Sequence, residues 1–163
     1  MTLMQLINRF SFLLFPLAAF LVAALILARA KKGRWPWMVW GALLAAFLAF
    51  VFLSGQRTTA SFDTPENIRR ALASADQPTL VEFFSNYCLG CVANRPAVQR
   101  LAEEWTGGRL VTLDVMDPDI RRFGDEVGFE VTPTFILYDT MGRELARWVG
   151  RAPTVEELER LAP

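Results

Sequence analysis

The sequence predicts an α/β domain, with a central mixed β-sheet flanked by helices, preceded by a transmembrane hairpin of two helices. Three features support this prediction: two long apolar runs near the start, alternating helix-like and strand-like patterns over the rest, and one C-x-x-C at a strand-to-helix turn. The length of 163 residues suits one domain and a smaller unit. We therefore expect the hairpin over residues 1–56 and the α/β domain over residues 57–163.

Two apolar runs of 19 residues lie in the first 56 residues. Residues 10–28 contain Ser11 as their one polar side chain, and residues 35–53 contain no charged side chain. A helix that crosses a bilayer needs about 20 apolar residues, so each run predicts a membrane span. A cleaved signal peptide is the alternative for the first run, which is long for that role, and the second run would still anchor the protein.

Basic residues are concentrated between these two runs. Residues 29–34 include four of them, against Arg9 before the first run and Arg57 after the second. Short loops rich in Lys and Arg remain in the cytoplasm, so both termini are expected on the other side of the membrane. The second run has small residues that would let the two helices pack closely: Gly41, Ala42, Ala45, Ala46 and Ala49.

Charge divides the chain into two parts. Residues 57–163 contain 12 arginines, no lysine and all 17 acidic residues, so this part has a formal charge of −5 although the whole chain has none. No basic cluster is visible in it, which argues against nucleic-acid binding.

The segment after the apolar runs alternates between helix and strand patterns in the order α-β-α-β-α-β-β-α, which predicts a four-stranded mixed sheet. Asp63 or Thr64 is the expected cap of the first helix, and Thr154 with Glu157 forms a capping box for the last. The intervening elements are expected at these positions: strand 79–84, a helix from Cys91 to about Trp105, strand 109–115, helix 120–127, and a hairpin of strands 134–138 and 144–149.

The chain has two cysteines, Cys88 and Cys91, which follow the strand-like segment 79–84 and open a helix-like segment. A thiol at a helix N-terminus faces unpaired N–H groups and the positive end of the helix dipole, and both stabilise a thiolate. The second thiol lies about one turn further along, close enough to form a disulfide. This arrangement indicates a thiol–disulfide exchange site.

Several segments resemble the thioredoxin family over about residues 62–162. Residues 78–88 resemble the strand that leads into its first cysteine, with Tyr87 in the position of the usual tryptophan. Pro96 matches the proline that kinks the following helix, and residues 131–134 (Val-Thr-Pro-Thr) match the cis-proline loop. The lead-in and the closing Gly-Arg-x-Pro are most like the membrane-anchored thioredoxin-like proteins of cyanobacteria and thylakoids, the TxlA type.

This resemblance implies a thioredoxin fold and a thiol–disulfide oxidoreductase. It makes Cys88 the attacking thiol, Cys91 the resolving thiol, and Glu82 the buried acid that takes the proton of the resolving cysteine. The positions implied for substrate binding are Tyr87, Leu89, Gly90, Thr132 and Pro133. No cofactor is implied beyond the redox-active Cys88–Cys91 disulfide, and no metal.

The resemblance and the topology together imply the partners. The expected substrates are extracytoplasmic protein thiols and disulfides, with the protein acting as a reductant in protein or cytochrome maturation. Neither apolar run contains a cysteine, so the electrons would come from a separate membrane protein of the DsbD or CcdA type. The expected location is a bacterial inner or plasma membrane, or a thylakoid membrane, with the lipid bilayer as a further partner.

Other interpretations of the cysteine pair stay open. Two thiolates underfill a tetrahedral zinc site and the chain has no histidine, but copper handling is compatible with C-x-x-C. An inert structural disulfide and a non-catalytic binding or chaperone module are further alternatives. The Leu89-Gly90 dipeptide also lacks the usual proline of the family and the histidine of its strong oxidants.

Overall fold

A computed structural model describes residues 3–29, 33–53 and 64–162, and within these the side chains of residues 7–29, 33–50 and 64–162. The described residues form six helices and four strands. The elements in chain order are α1 (Leu3–Arg29), α2 (Arg34–Leu53), α3 (Pro65–Ala73), β1 (Thr79–Phe84), α4 (Leu89–Glu104), β2 (Arg109–Asp114), α5 (Pro118–Glu126), β3 (Thr134–Tyr138), β4 (Glu144–Val149) and α6 (Val155–Leu161).

The sheet is mixed, as the sequence predicts. Its strand order is β2-β1-β3-β4, with β1 and β2 parallel and the other neighbouring pairs antiparallel. β1 lies in the interior of the sheet and all six of its residues are buried, which explains why apolar side chains occur on both of its faces instead of alternating with polar ones. The residues that immediately precede the cysteine segment therefore lie in the interior of the sheet.

The core has one layer on each face of the sheet. Because successive side chains of a strand point to opposite faces, Val81 and Phe83 pack in the cluster that includes α3 and α5 residues, and Leu80 packs with α4 and α6 residues. At the end of β1, Phe84 forms a small separate cluster with Cys88 and Cys91. The two thiols are thus buried at the end of β1, in contact with Phe84.

Side-chain caps decide where two helices begin. α5 begins at Pro118, two residues before the predicted start, because the Asp117 carboxylate accepts hydrogen bonds from the Asp119 and Ile120 N–H groups at 2.8 and 3.4 Å. α4 begins at Leu89, so Cys91 lies within its first turn and does not precede it. The predicted Thr154–Glu157 capping box is present at α6.

One described helix segment, residues 7–29, is long and apolar enough to cross a membrane, and α2 has a shorter apolar stretch over residues 34–50. The two helices contact each other through aromatic rings, and the indole of Trp40 donates a hydrogen bond to the Phe20 carbonyl at 3.0 Å. The expected small-residue contact was wrong, because aromatic rings form the described contact and four of the five small residues are exposed: Ala42, Ala45, Ala46 and Ala49. The connector predicted at residues 54–61 lies outside the described residues.

Candidate active site

Cys88 lies at the junction between β1 and α4, as predicted. The chain leaves β1 at Phe84 and makes a tight turn in which the Cys88 N–H donates to the Ser85 carbonyl at 3.2 Å. Cys88 is the N-cap of α4 and its sulfur accepts a hydrogen bond from the Cys91 N–H at 3.3 Å. The thiol therefore takes the place of the side-chain oxygen that usually caps a helix, and it satisfies one of the unpaired N–H groups there.

The loop before β3 faces this thiol. The Thr132–Pro133 peptide bond is cis, as the resemblance implies. The Cys88 thiol donates a hydrogen bond to the Thr132 carbonyl at 3.3 Å, across 44 residues of sequence. The Pro133 carbonyl accepts a hydrogen bond from the Gly150 N–H at 2.8 Å, which ties the loop to the end of β4.

Three of the predicted substrate-binding residues surround Cys88 in the sequence. A Cβ atom on Gly90 would lie 3.1 Å from Pro133 Cδ, so glycine allows the first turn of α4 to approach the loop closely. Leu89 is 49% exposed beside the buried thiols. The ring of Tyr87 stacks on Phe10 of α1, with their centroids 6.0 Å apart.

The two thiols differ in acidity because their surroundings differ. A hydrogen bond from the Cys91 thiol is the largest contribution that lowers the pKa of Cys88 to about 6, and the Thr132 hydroxyl and the Cys91 and Gly90 N–H groups add to it against the opposing effect of burial. Burial is the main cause that raises the pKa of Cys91 well above its ordinary value, and the hydrogen bond to Cys88 and its charge add to it. The thiol of Cys88 is thus more acidic than that of Cys91.

Glu82 is fully buried in β1, between Thr112 of β2 and Phe135 of β3 in the sheet register. The alternation of side chains along β1 places it on the same face as Phe84, which packs against both cysteines. A glutamate is unusual at such a position, because burial of an ionised carboxyl is costly. The structure thus places Glu82 on the cysteine side of the sheet.

Helix α1 also contacts the site, which the sequence did not predict. The side chain of Asn8 hydrogen-bonds to Thr132, and the Ser11 hydroxyl accepts a hydrogen bond from the Leu89 N–H at 3.0 Å. The signal available in the sequence was the presence of polar side chains in and next to an apolar segment, where such residues are costly and usually have a partner.

A metal site has little support among the residues that the structure describes. In that part of the chain no group of three or more His, Cys, Asp or Glu side chains could hold a metal ion. Cys88 and Cys91 alone supply two ligands, and a structural zinc site takes four.

Comparison with known proteins decides the family. Residues 59–161 match the family model described as Thioredoxin. The chain belongs to the thioredoxin family. Its members are thiol–disulfide oxidoreductases, so this protein is one too, and the family generally needs no cofactor beyond the redox disulfide.

Two curated relatives are similar to the chain in sequence, and one solved structure is similar in fold. It is 34% identical over 94 residues to thioredoxin Asp f 28 of Aspergillus fumigatus, covering 58% of this chain and 82% of that one. It is 28% identical over 130 residues to a thiol:disulfide interchange protein TxlA homolog of Synechocystis, covering 72% of this chain and 71% of that protein. The fold is similar to that of Trichomonas vaginalis thioredoxin, with a TM-score of 0.52 and 20% identity over 63% of this chain and 91% of the other.

The match to the TxlA homolog covers a larger share of this chain than the match to the fungal thioredoxin. The predicted resemblance to the TxlA type is therefore confirmed as homology. Thioredoxin-like proteins act on the thiols and disulfides of other proteins, which fixes the class of substrate.

Proposed function

We propose that this chain is a membrane-anchored thiol:disulfide oxidoreductase that reduces disulfides of extracytoplasmic proteins. The observation that carries the proposal is the different placement of the two thiols. Cys88 caps α4 with its sulfur 3.3 Å from the Thr132 carbonyl, whereas Cys91 is buried in the first turn, and the pKa of Cys88 is lowered while that of Cys91 is raised. An inert disulfide does not require this difference between the two thiols. An exchange reaction needs one thiolate that attacks and a second thiol that stays protonated until the mixed disulfide has formed.

In the first step, the Cys88 thiolate attacks one sulfur of a substrate disulfide. The substrate S–S bond breaks, a Cys88–substrate mixed disulfide forms, and the other substrate sulfur leaves as a thiolate. The low pKa of Cys88 makes the nucleophile abundant at neutral pH.

In the second step, Cys91 loses its proton to Glu82 and attacks the sulfur of Cys88. The mixed disulfide breaks, the Cys88–Cys91 disulfide forms, and the second substrate sulfur leaves as a thiolate. Two electrons have then passed from the protein to the substrate. Burial of Cys91 supports this order of events, because a high pKa keeps Cys91 protonated until the mixed disulfide is present.

The substrate is proposed to bind as an extended segment along the Thr132–Pro133 loop. Backbone N–H and C=O groups of Thr132 would pair with it as an edge strand pairs with an added strand. The contact between Cys88 and the Thr132 carbonyl supports this site, because a strand on Thr132 would lie beside the attacking sulfur. Tyr87, Leu89 and Gly90 would form the other side of the contact.

Membrane anchoring is proposed through the hairpin of residues 1–56, with spans over about 10–28 and 35–53 and with residues 57–163 outside the cytoplasm. The apolar α1 and the four basic residues in the 29–34 loop support this topology. The membrane would be a bacterial inner or plasma membrane, or a thylakoid membrane. A DsbD- or CcdA-type protein would return the Cys88–Cys91 disulfide to the dithiol.

Insulin reduction by the full chain in detergent micelles tests the activity, with dithiothreitol as the electron source. We expect the wild type to accelerate precipitation of the insulin B chain and Cys88→Ser to be inactive. An Asn67→Ala variant, altered at a half-buried residue of α3 whose side chain accepts a hydrogen bond from Arg70, serves as the matched control and should behave like the wild type. Activity that survives Cys88→Ser would contradict the proposal.

A further inference from the structure

The first turns of α1 hold the same Thr132 groups that the proposed substrate would use. The Asn8 side-chain oxygen accepts hydrogen bonds from the Thr132 N–H at 2.7 Å and from its hydroxyl at 2.9 Å. The Asn8 side-chain nitrogen donates to the Thr132 carbonyl at 3.0 Å. One amide thus supplies both the acceptor and the donor that a neighbouring strand would supply.

A second set of contacts fastens α1 on both sides of Cys88. The Phe12 N–H donates to the Tyr87 carbonyl at 2.9 Å, and the Ser11 hydroxyl accepts from the Leu89 N–H at 3.0 Å. Cys88 itself is fully buried, with no exposed fraction. The helix therefore engages the residue before the attacking thiol, the residue after it, and the loop opposite.

We propose that Asn8 is a specificity-determining residue of this active site, which occupies the substrate's place on Thr132 until a partner displaces the first turns of α1. The inference rests on the proposed function, since it takes Thr132 as the substrate-binding edge. The occupant that replaces Asn8 is an extended protein segment, because its backbone offers the same donor and acceptor pair. Substrates that are only extended segments therefore exchange disulfides with Cys88 slowly, whereas partners that also displace α1 do so fast.

Asn8 also bears on the chemistry of the thiol through Thr132. The Thr132 hydroxyl has a single hydrogen, which points to the Asn8 oxygen, while the same hydroxyl is among the groups that stabilise the Cys88 thiolate. The pKa of Cys88 therefore depends on how Asn8 holds this hydroxyl, and a merely structural role of Asn8 would not produce such a dependence.

The experiment compares reduced full-length wild type, Asn8→Ala and the remote Asn67→Ala control in detergent micelles. Alkylation of Cys88 by iodoacetamide measures access to the thiol without turnover, and insulin reduction measures access for an extended substrate. Each neutral hydrogen bond shifts an equilibrium by a factor of roughly 2 to 10, so loss of the three Asn8 bonds should accelerate both reactions by about tenfold or more. Asn67→Ala should change neither rate.

A second variant distinguishes the loss of these hydrogen bonds from unfolding of the protein. Asn8→Asp keeps the size and the two acceptor contacts but loses the donor to the Thr132 carbonyl, so its rates should lie between those of the wild type and Asn8→Ala. Its added negative charge should raise the pKa of Cys88, an effect that the uncharged Asn8→Ala variant should not show.

The outcomes separate this inference from the function on which it rests. Equal rates in wild type and Asn8→Ala overturn the inference, and faster alkylation without faster insulin reduction overturns the competition at Thr132. If the wild type and every variant fail to reduce insulin, the proposed function is contradicted and the inference falls with it.

Discussion

The thiol of Cys88 and the carbonyl of Thr132 lie 3.3 Å apart, although 44 residues separate them in the chain. Strand β1 brings the cysteine to the end of the sheet, and the loop before β3 returns beside it because β1 and β3 are neighbours. The same loop carries the proposed substrate edge. In the proposed function, attack and substrate binding thus depend on one contact.

The first prediction concerns the pH dependence of the Cys88 thiol. Since the pKa of Cys88 is lowered from 9.0 to about 6, alkylation should be close to its plateau at pH 7 and should fall about tenfold per pH unit well below 6. The Cys91 thiol should not react with iodoacetamide across pH 5–9, because its pKa is raised. Mass spectrometry of the alkylated peptides measures both.

Two variants of Cys91 test the cause of this shift. The hydrogen bond from the Cys91 thiol is the largest contribution, so Cys91→Ala should move the midpoint upward toward 9.0, the ordinary value. Cys91→Ser keeps a hydroxyl donor and should move it less. An identical midpoint in wild type and Cys91→Ala would refute this explanation.

The second prediction concerns trapping. Without the resolving thiol, Cys91→Ser should accumulate Cys88–substrate mixed disulfides, which non-reducing gels and mass spectrometry of membranes would identify. A DsbD- or CcdA-type protein should be among the trapped partners if the chain is a reductant. Recovery of oxidising, quinone-linked partners alone would point to an oxidase instead.

The third prediction concerns Gly90. A Cβ atom there would lie 3.1 Å from Pro133 Cδ, so Gly90→Ala should push the loop away from Cys88. A displacement on the order of 1 Å at a reacting centre can cost about 100-fold, and we expect insulin reduction to fall by about 10- to 100-fold. Gly41→Ala is the matched control, because a Cβ on Gly41 of α2 meets no atom within 4 Å. Equal activity of the two variants would contradict the close contact.

The fourth prediction concerns Glu82. Replacement by Gln keeps the shape but cannot accept a proton, so the resolving step should slow by about 100-fold or more, the lower end of general base effects. Quenched-flow trapping would then find a longer-lived mixed disulfide while the first attack keeps its rate. An unchanged lifetime would remove Glu82 from the mechanism.

The fifth prediction concerns topology. With four basic residues in the 29–34 loop, a C-terminal alkaline phosphatase fusion should be active and a C-terminal green fluorescent protein fusion dark. The reverse pattern would place residues 57–163 in the cytoplasm and contradict the proposed location.

The parts of the fold that local sequence specifies could be predicted closely. Strands 134–138 and 144–149 were predicted at their observed bounds, because the Asp139–Gly142 turn and the apolar pattern both define them. The order of the elements and the junction at Cys88 were predicted for the same reason. The start of α5 was missed because Asp117 caps the helix earlier than its apolar pattern begins.

The contact between α1 and the site could not be predicted in this way. Asn8 and Thr132 are 124 residues apart, and no periodicity or spacing relates them. Their hydrogen bonds depend on how the apolar helices pack against the folded domain. The aromatic contact between Phe20 and Trp40 likewise depends on packing, which helix patterns leave open.

The reduction potential of the Cys88–Cys91 pair, measured for the full chain in glutathione redox buffers, tests the central claim most directly. A redox-active pair should titrate reversibly as a two-electron couple between about −270 mV, the value for thioredoxin, and about −120 mV, the value for a strong oxidant of the same fold. A disulfide that resists reduction below about −300 mV, or a pair that does not oxidise reversibly, would contradict the assignment of these cysteines as an exchange site.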